Sequence, residues 1–153
     1  MFVKGLLALI ILISFTNCLA VDLNNTEIYI VNNESRYTSL HPDINLIAFN
    51  KARHVKGNFV FSAGEHISGT HLLLNFLDET QFTRGEDIEV QLKYPAKTAD
   101  GATITYIQIY VDLSSNDADA YFFDGGIGQT SADILLVCNQ TQRYTYEIFM
   151  YGY

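Results

Sequence analysis

The stretch DIEVQLKY, residues 87–94, alternates at every step. Ile88, Val90, Leu92 and Tyr94 fall on one side; Asp87, Glu89, Gln91 and Lys93 fall on the other. Successive side chains of an extended strand point to opposite faces, so this pattern makes a half-buried strand and gives a helix no continuous apolar stripe. TITYIQIYVDL, residues 103–113, repeats it, with Ile107, Ile109, Val111 and Leu113 on one face. Between the two lies Asp100-Gly101, a tight-turn pair in which glycine tolerates positive φ. The spacing predicts a hairpin over 87–113.

The rest of the chain follows the same rhythm of short apolar runs and polar breaks. EIYIV (27–31), INLIAF (44–49), NFVFS (58–62) and DAYFF (119–123) read as strands. THLLLNFL (70–77) fits a strand or a short helix. DILLVC (133–138) and YTYEIFMYG (144–152) read as a closing hairpin around the polar NQTQR. No repeat, linker or low-complexity segment divides the chain. The expected fold class is all-β, a single-domain antiparallel β-sandwich over residues 21–153.

Residues 1–20, MFVKGLLALIILISFTNCLA, have the grammar of a secretory signal peptide: one early cation at Lys4, a short apolar centre, and a small residue at the end. The apolar run is shorter than the roughly 20 residues that span a bilayer. Cleavage is expected between Ala20 and Val21. The mature chain would then have 153 − 20 = 133 residues and no membrane span. Loss of Lys4 leaves 8 basic against 17 acidic residues, a net charge of −9. Such a chain repels phosphate backbones, so no direct nucleic-acid contact is expected. Cys18 departs with the leader, and Cys138, at the end of an apolar run, stands alone; no intramolecular disulfide is expected, and a buried, unreactive thiol is. Three sequons, at Asn24, Asn33 and Asn139, suit a secreted glycoprotein.

The cluster YFFDGGIGQT raises the question of a phosphate-binding loop. A Walker loop needs a lysine and a Ser/Thr after its last glycine; Gly128 is followed by Gln129 and Thr130. The dinucleotide fingerprint needs a further glycine where Ser131 stands, and a helix after it. Gly125, Gly126 and Gly128 therefore read, like Asp100 and Gly101, as a structural turn. Asp112, Asp117, Asp119 and Asp124 are dense, but they lack the ordered spacing of a calcium loop. His41, His54, His66 and His71 have no zinc-pair spacing. No nucleophile elbow or Cys–His arrangement stands out. No catalytic residue, metal or cofactor is expected, and the chain reads as a non-enzyme. In YTYEIFMYGY, Tyr144, Tyr146, Ile148 and Met150 suit a core. Thr145, Glu147, Phe149 and Tyr151 suit either a partner surface or a second covered face.

The order IEVQLKYP, ITYIQIYVD, AYFFDGGIG, ILLV and YEIFMYG resembles the insect family of multiprotein bridging factor two, also called probable salivary secreted peptides. The shared features are Tyr94-Pro95, the Ile104-Thr105 strand ending in Asp112, the Gly125-Gly126-x-Gly128 turn, and the terminal Tyr146, Ile148, Met150, Tyr151 and Gly152. The similarity runs over about residues 87–152 and implies a small β-rich secreted protein without family catalytic residues. The expected function is binding of a protein or small ligand in extracellular fluid such as saliva, haemolymph or gut lumen. Two alternatives are an intracellular transcriptional coactivator that bridges a DNA-bound receptor to general factors, and a calcium-dependent carbohydrate-binding protein.

Overall fold

The computed structural model describes residues 26–55, 58–95 and 101–153. Residues 1–20, the cleavage point expected between Ala20 and Val21, Asn24 and Asp100 lie outside the described residues. The described chain is all-β apart from one turn of helix. Its elements are β1 (Thr26–Ile30), α1 (Tyr37–Leu40), β2 (Ile47–Ala48), β3 (Asn50–Val55), β4 (Asn58–Gly64), β5 (His71–Tyr94), β6 (Ile104–Leu113), β7 (Ala118–Gly125) and β8 (Ala132–Gly152).

All eight strands join one antiparallel sheet, in the order β1-β5-β8-β6-β4-β3, with β7 pairing β8 and β2 pairing β7. Two expected hairpins are overturned. The strands at 87–94 and 104–113 exist, but they do not pair: the first bonds to residues 132–138 of β8 and the second to residues 144–152, in opposite halves of the folded sheet. Residues 133–138 and 144–152 are not two strands but one, β8; NQTQR is its bend, and Gln140 adopts φ 50°. β5 shifts register opposite this point, between Gln81 and Ile88. Local alternation fixes which face a residue takes, whereas partner choice depends on contacts far along the chain.

The bend explains the two layers. One half of the sheet contains β3, β4, β6 and the ends His71–Gln81 of β5 and Tyr144–Gly152 of β8. The other contains β1, β2, β7 and the remaining ends of β5 and β8. Their inner faces meet: a cavity of about 10 Å³ is lined by Val90, Leu92, Ile134 and Leu136 from one half and by Ile109, Tyr146 and Ile148 from the other. The expected sandwich is thus one open sheet folded over itself, not two separately bonded sheets. THLLLNFL is strand, the first part of β5. INLIAF yields only the two residues of β2, while the polar NKARHV forms edge strand β3, which hydrophobic patterning overlooks.

The core carries an internal cost. Tyr144 and Tyr146 are buried, and their hydroxyls lack hydrogen-bond partners. Burial pushes the Tyr144 phenol up to about 12 and raises that of Tyr146 as well. Thr80 and Thr26 are close enough to oppose this, yet neither completes a hydrogen bond of good geometry. Tyr146 is the one residue with a polar side chain among those lining the small cavity, too few polar partners to hold a water. Tyr146→Phe should therefore stabilise the protein by about 1 kcal/mol, raising Tm by roughly 2–4 °C. Calorimetry of the two proteins checks this; a lower Tm for the variant would mean that the hydroxyl is bonded.

Candidate interaction surface

The two outer faces of the folded sheet have different fates. On the β5–β8–β7 side, residues 31–46 lie across the strands as a strap. Arg36 is its anchor, donating to Asp87 at 2.8 Å and to Asn139 Oδ1 at 2.8 Å. The backbone N–H of Tyr37 donates to Glu89 at 2.8 Å, and the Tyr37 ring packs 4.8 Å from Phe123. Under this cover Glu89 and Leu135 are buried, although both point away from the inner core. Burial raises the Glu89 carboxyl above its usual range, against the Tyr37 N–H and the Arg36 charge. Burial opposes ionisation of Asp87 too, but the backbone and side chain of Gln140 and the Arg36 guanidinium prevail and hold it below its usual range.

The opposite outer face has no such cover among the described residues. Because β6 and β8 give their inward residues to the core, the alternate residues Tyr106, Gln108, Tyr110, Thr145, Glu147, Phe149 and Tyr151 face out. The His66 ring lies tilted against Tyr106 at 4.1 Å and meets the edge of Tyr151 at 4.8 Å. Tyr110 stands edge-on to Phe149 at 6.0 Å. Burial raises the Tyr106 phenol, with further contributions from Tyr110 and Tyr151. Beside Tyr110, 44 % exposed, a shallow groove of about 410 Å³ runs between Val60, Leu77, Thr145 and Glu147. Asp112, paired with Arg143 at 3.2 Å, and Glu147, bonded to Asn75 at 3.1 Å, put carboxylates at its margin. The surface joins flat aromatic area to acidic groups, which suits apolar and cationic side chains.

The residues singled out in the sequence take separate places. Gly125, Gly126 and Gly128, with φ of 63°, 129° and 79°, turn β7 into β8. Gly101 touches this turn: a Cβ there would stand 2.0 Å from the Thr130 carbonyl oxygen. Asn33 is exposed in the strap. Asn139 is half-buried at the bend; its Oδ1 accepts from Arg36, and its Nδ2 donates to Asp117 at 2.8 Å. Thr141 of the same sequon is fully buried and donates to the Arg143 carbonyl at 2.6 Å. Cys138 is buried and free, its thiol pushed up to about 12 by burial, then by Asp117 and Asp119. The loop aspartates do not converge: Asp112 pairs Arg143, Asp117 holds Asn139, and Asp119 pairs Lys51 at 3.0 Å. Among the described residues no group of three or more His, Cys, Asp or Glu could hold a metal, and no helix is long and apolar enough to cross a membrane.

Arg36, Tyr37 and Glu89 were not legible as a unit, since they join segments some fifty residues apart. Tyr106 and Tyr110 carried a signal: aromatic residues on the supposedly polar side of an alternating strand. The family model described as transcription activator MBF2 matches residues 63–152, more than half of the chain. This span begins upstream of the similarity read from the sequence and takes in all of β5. No curated protein and no solved structure matches the chain significantly.

Proposed function

The chain belongs to the transcription activator MBF2 family; from its leader-like first residues, its sequons and its open outer face we propose a non-catalytic binding protein of extracellular fluid whose aromatic outer face receives a protein partner. The observation that carries this reading is the contrast between the two outer faces. One is sealed by a strap; the other has no such cover among the described residues, with His66 and Tyr110 exposed and Tyr106, Phe149 and Tyr151 half-buried beside them. A partner surface with aliphatic and basic side chains would fit it, filling the groove beside Tyr110 and meeting Asp112 and Glu147. The extracellular setting rests on the leader-like residues 1–20 and the sequons at Asn24, Asn33 and Asn139. Secretion into saliva, as in the secreted peptides the sequence resembles, is one such setting.

The family's description favours a second reading, transcription activation inside the cell. With its acidic charge, the chain would then act on a DNA-bound protein rather than on DNA.

Expression of the full chain in secretory eukaryotic cells separates the two. The expected product is in the medium, begins at Val21 and gains mobility on removal of N-glycans. A product retained in the lysate with Met1 overturns the extracellular reading and leaves the activator role. Proteins that co-purify from the fluid should bind at least about tenfold more weakly to a Tyr110→Ala, Phe149→Ala variant. Unchanged binding would remove the aromatic face from the proposal.

A further inference from the structure

The free edges of the branched sheet differ in how they meet solvent. β3, one of them, carries Lys51 and Arg53, charges of the kind that blunt an exposed edge. β1, another, reads TEIYI, with no lysine, arginine or proline. Ile28, Tyr29 and Ile30 are 38 %, 41 % and 59 % exposed. Ile28 and Ile30 lie opposite Val90 and Ile88, on the core side of the sheet, but at its margin where the core does not cover them. Among the described residues no strand bonds the far side of β1.

The register shows which backbone groups are free. Val31 N–H donates to the Asp87 carbonyl at 2.8 Å. Bonding alternates along an antiparallel pair, so Tyr29 and Glu27 also turn their backbone groups toward β5. Thr26, Ile28 and Ile30 turn theirs outward. An antiparallel partner centred on Ile28 would place Ile28 against itself, and Thr26 against Ile30, as three bonded pairs with about six hydrogen bonds. The same register sets Glu27 across from Tyr29, avoiding opposed carboxylates. A Tyr29 hydroxyl already donates to Glu27 within the strand. The strand is therefore complementary to itself.

We propose that β1 is a homodimerisation edge: two copies pair β1 to β1 about a two-fold axis at Ile28, extending the sheet from one molecule into the next. Ile28 and Ile30 of both copies would form one apolar strip beside the core margin. The aromatic outer face belongs to the other half of the sheet, so the dimer would present it twice. This assembly does not depend on the function proposed above.

Sedimentation velocity of the full chain as cells produce it tests the proposal. A dimer is expected at about 100 μM, with dissociation on dilution as for a small interface. Ile28→Lys, which sets two like charges face to face, should halve the mass while leaving Tm nearly unchanged. The register has its own test. Opposed residues of a bonded pair have Cα atoms about 5.5 Å apart, within disulfide reach. Ile28→Cys should therefore cross-link to a covalent dimer under mild oxidation, whereas Ile30→Cys, which faces Thr26, should not. Buried Cys138 does not compete. A wild-type monomer at about 100 μM, a dimer that survives Ile28→Lys, or equal cross-linking of the two cysteine variants would each overturn the proposal.

Discussion

Replacing Ile148 with alanine should cost about 3–4 kcal/mol and lower Tm by roughly 10 °C. Ile148 lies on β8, opposite Phe76 of β5 on one side and Ile109 of β6 on the other. It is 1 % exposed and lines the interlayer cavity. Truncation removes buried methylenes next to a void that already exists, and strands bonded on both sides cannot close in to fill the space. The adjacent Phe149 is the control. It points to the uncovered face and loses mainly its edge contact with Tyr110, so Phe149→Ala should cost only about 1 kcal/mol. Urea denaturation of both variants reads the difference. Equal losses would mean that both sides of β8 are covered, which would sink the assignment of inner and outer faces.

Arg36→Ala should cost about 2–3 kcal/mol at pH 7, at or just below the bottom of the range for breaking a fully buried pair, because Arg36 and Asp87 each keep 21 % exposure. The loss reaches beyond one ion pair. Asp87 forfeits its cation, Asn139 a donor, and Glu89, with its Oε1 at 4.0 Å from the guanidinium, the positive charge that offsets its burial. The pH dependence separates the two carboxyls. Asp87 titrates below its unfolded value, so its contribution is present above about pH 3.9 and is lost as pH falls through the folded value. Glu89 titrates above its unfolded value, so its contribution is full below about pH 4.3 and is lost as pH rises through the folded value. Without Arg36 the Glu89 effect grows, and the variant should be closer to the parent near pH 4.5 than at pH 7. Glu89→Gln can still accept from the Tyr37 N–H and should flatten the decline above about pH 4.3. A Glu89→Gln protein with the parent's pH profile would show that this carboxyl is solvated and the strap loosely held.

The strap also bears on how much of the site was visible beforehand. Nothing local in Ser35-Arg36-Tyr37 marks it as a cover, because its partners Asp87, Glu89 and Asn139 belong to other parts of the chain. Alternation placed Glu89 on a solvent side, and the strap buried it. The same alternation placed Tyr106 and Tyr110 opposite the core, where no segment among the described residues arrives to cover them.

The sequence alone determined that this chain is β-rich, and which side of its alternating strands faces inward. Ile88, Val90 and Leu92, Ile107, Ile109 and Val111, and Tyr146, Ile148 and Met150 are all buried as their period of two requires. That period is a local property of extended backbone, and it does not depend on which strand lies alongside. Only the tertiary structure decided the neighbours. Residues 87–94 and 104–113 look like a hairpin because a turn pair separates them, yet each bonds to β8. NQTQR looks like a turn because it is polar, yet it is a bend that lets β8 serve both layers. Polar residues suit a tight turn and an exposed corner equally, and pairing free energy accumulates over whole strands. The choice between the two therefore rested with residues distant in sequence, and so did the choice of the outer face left open.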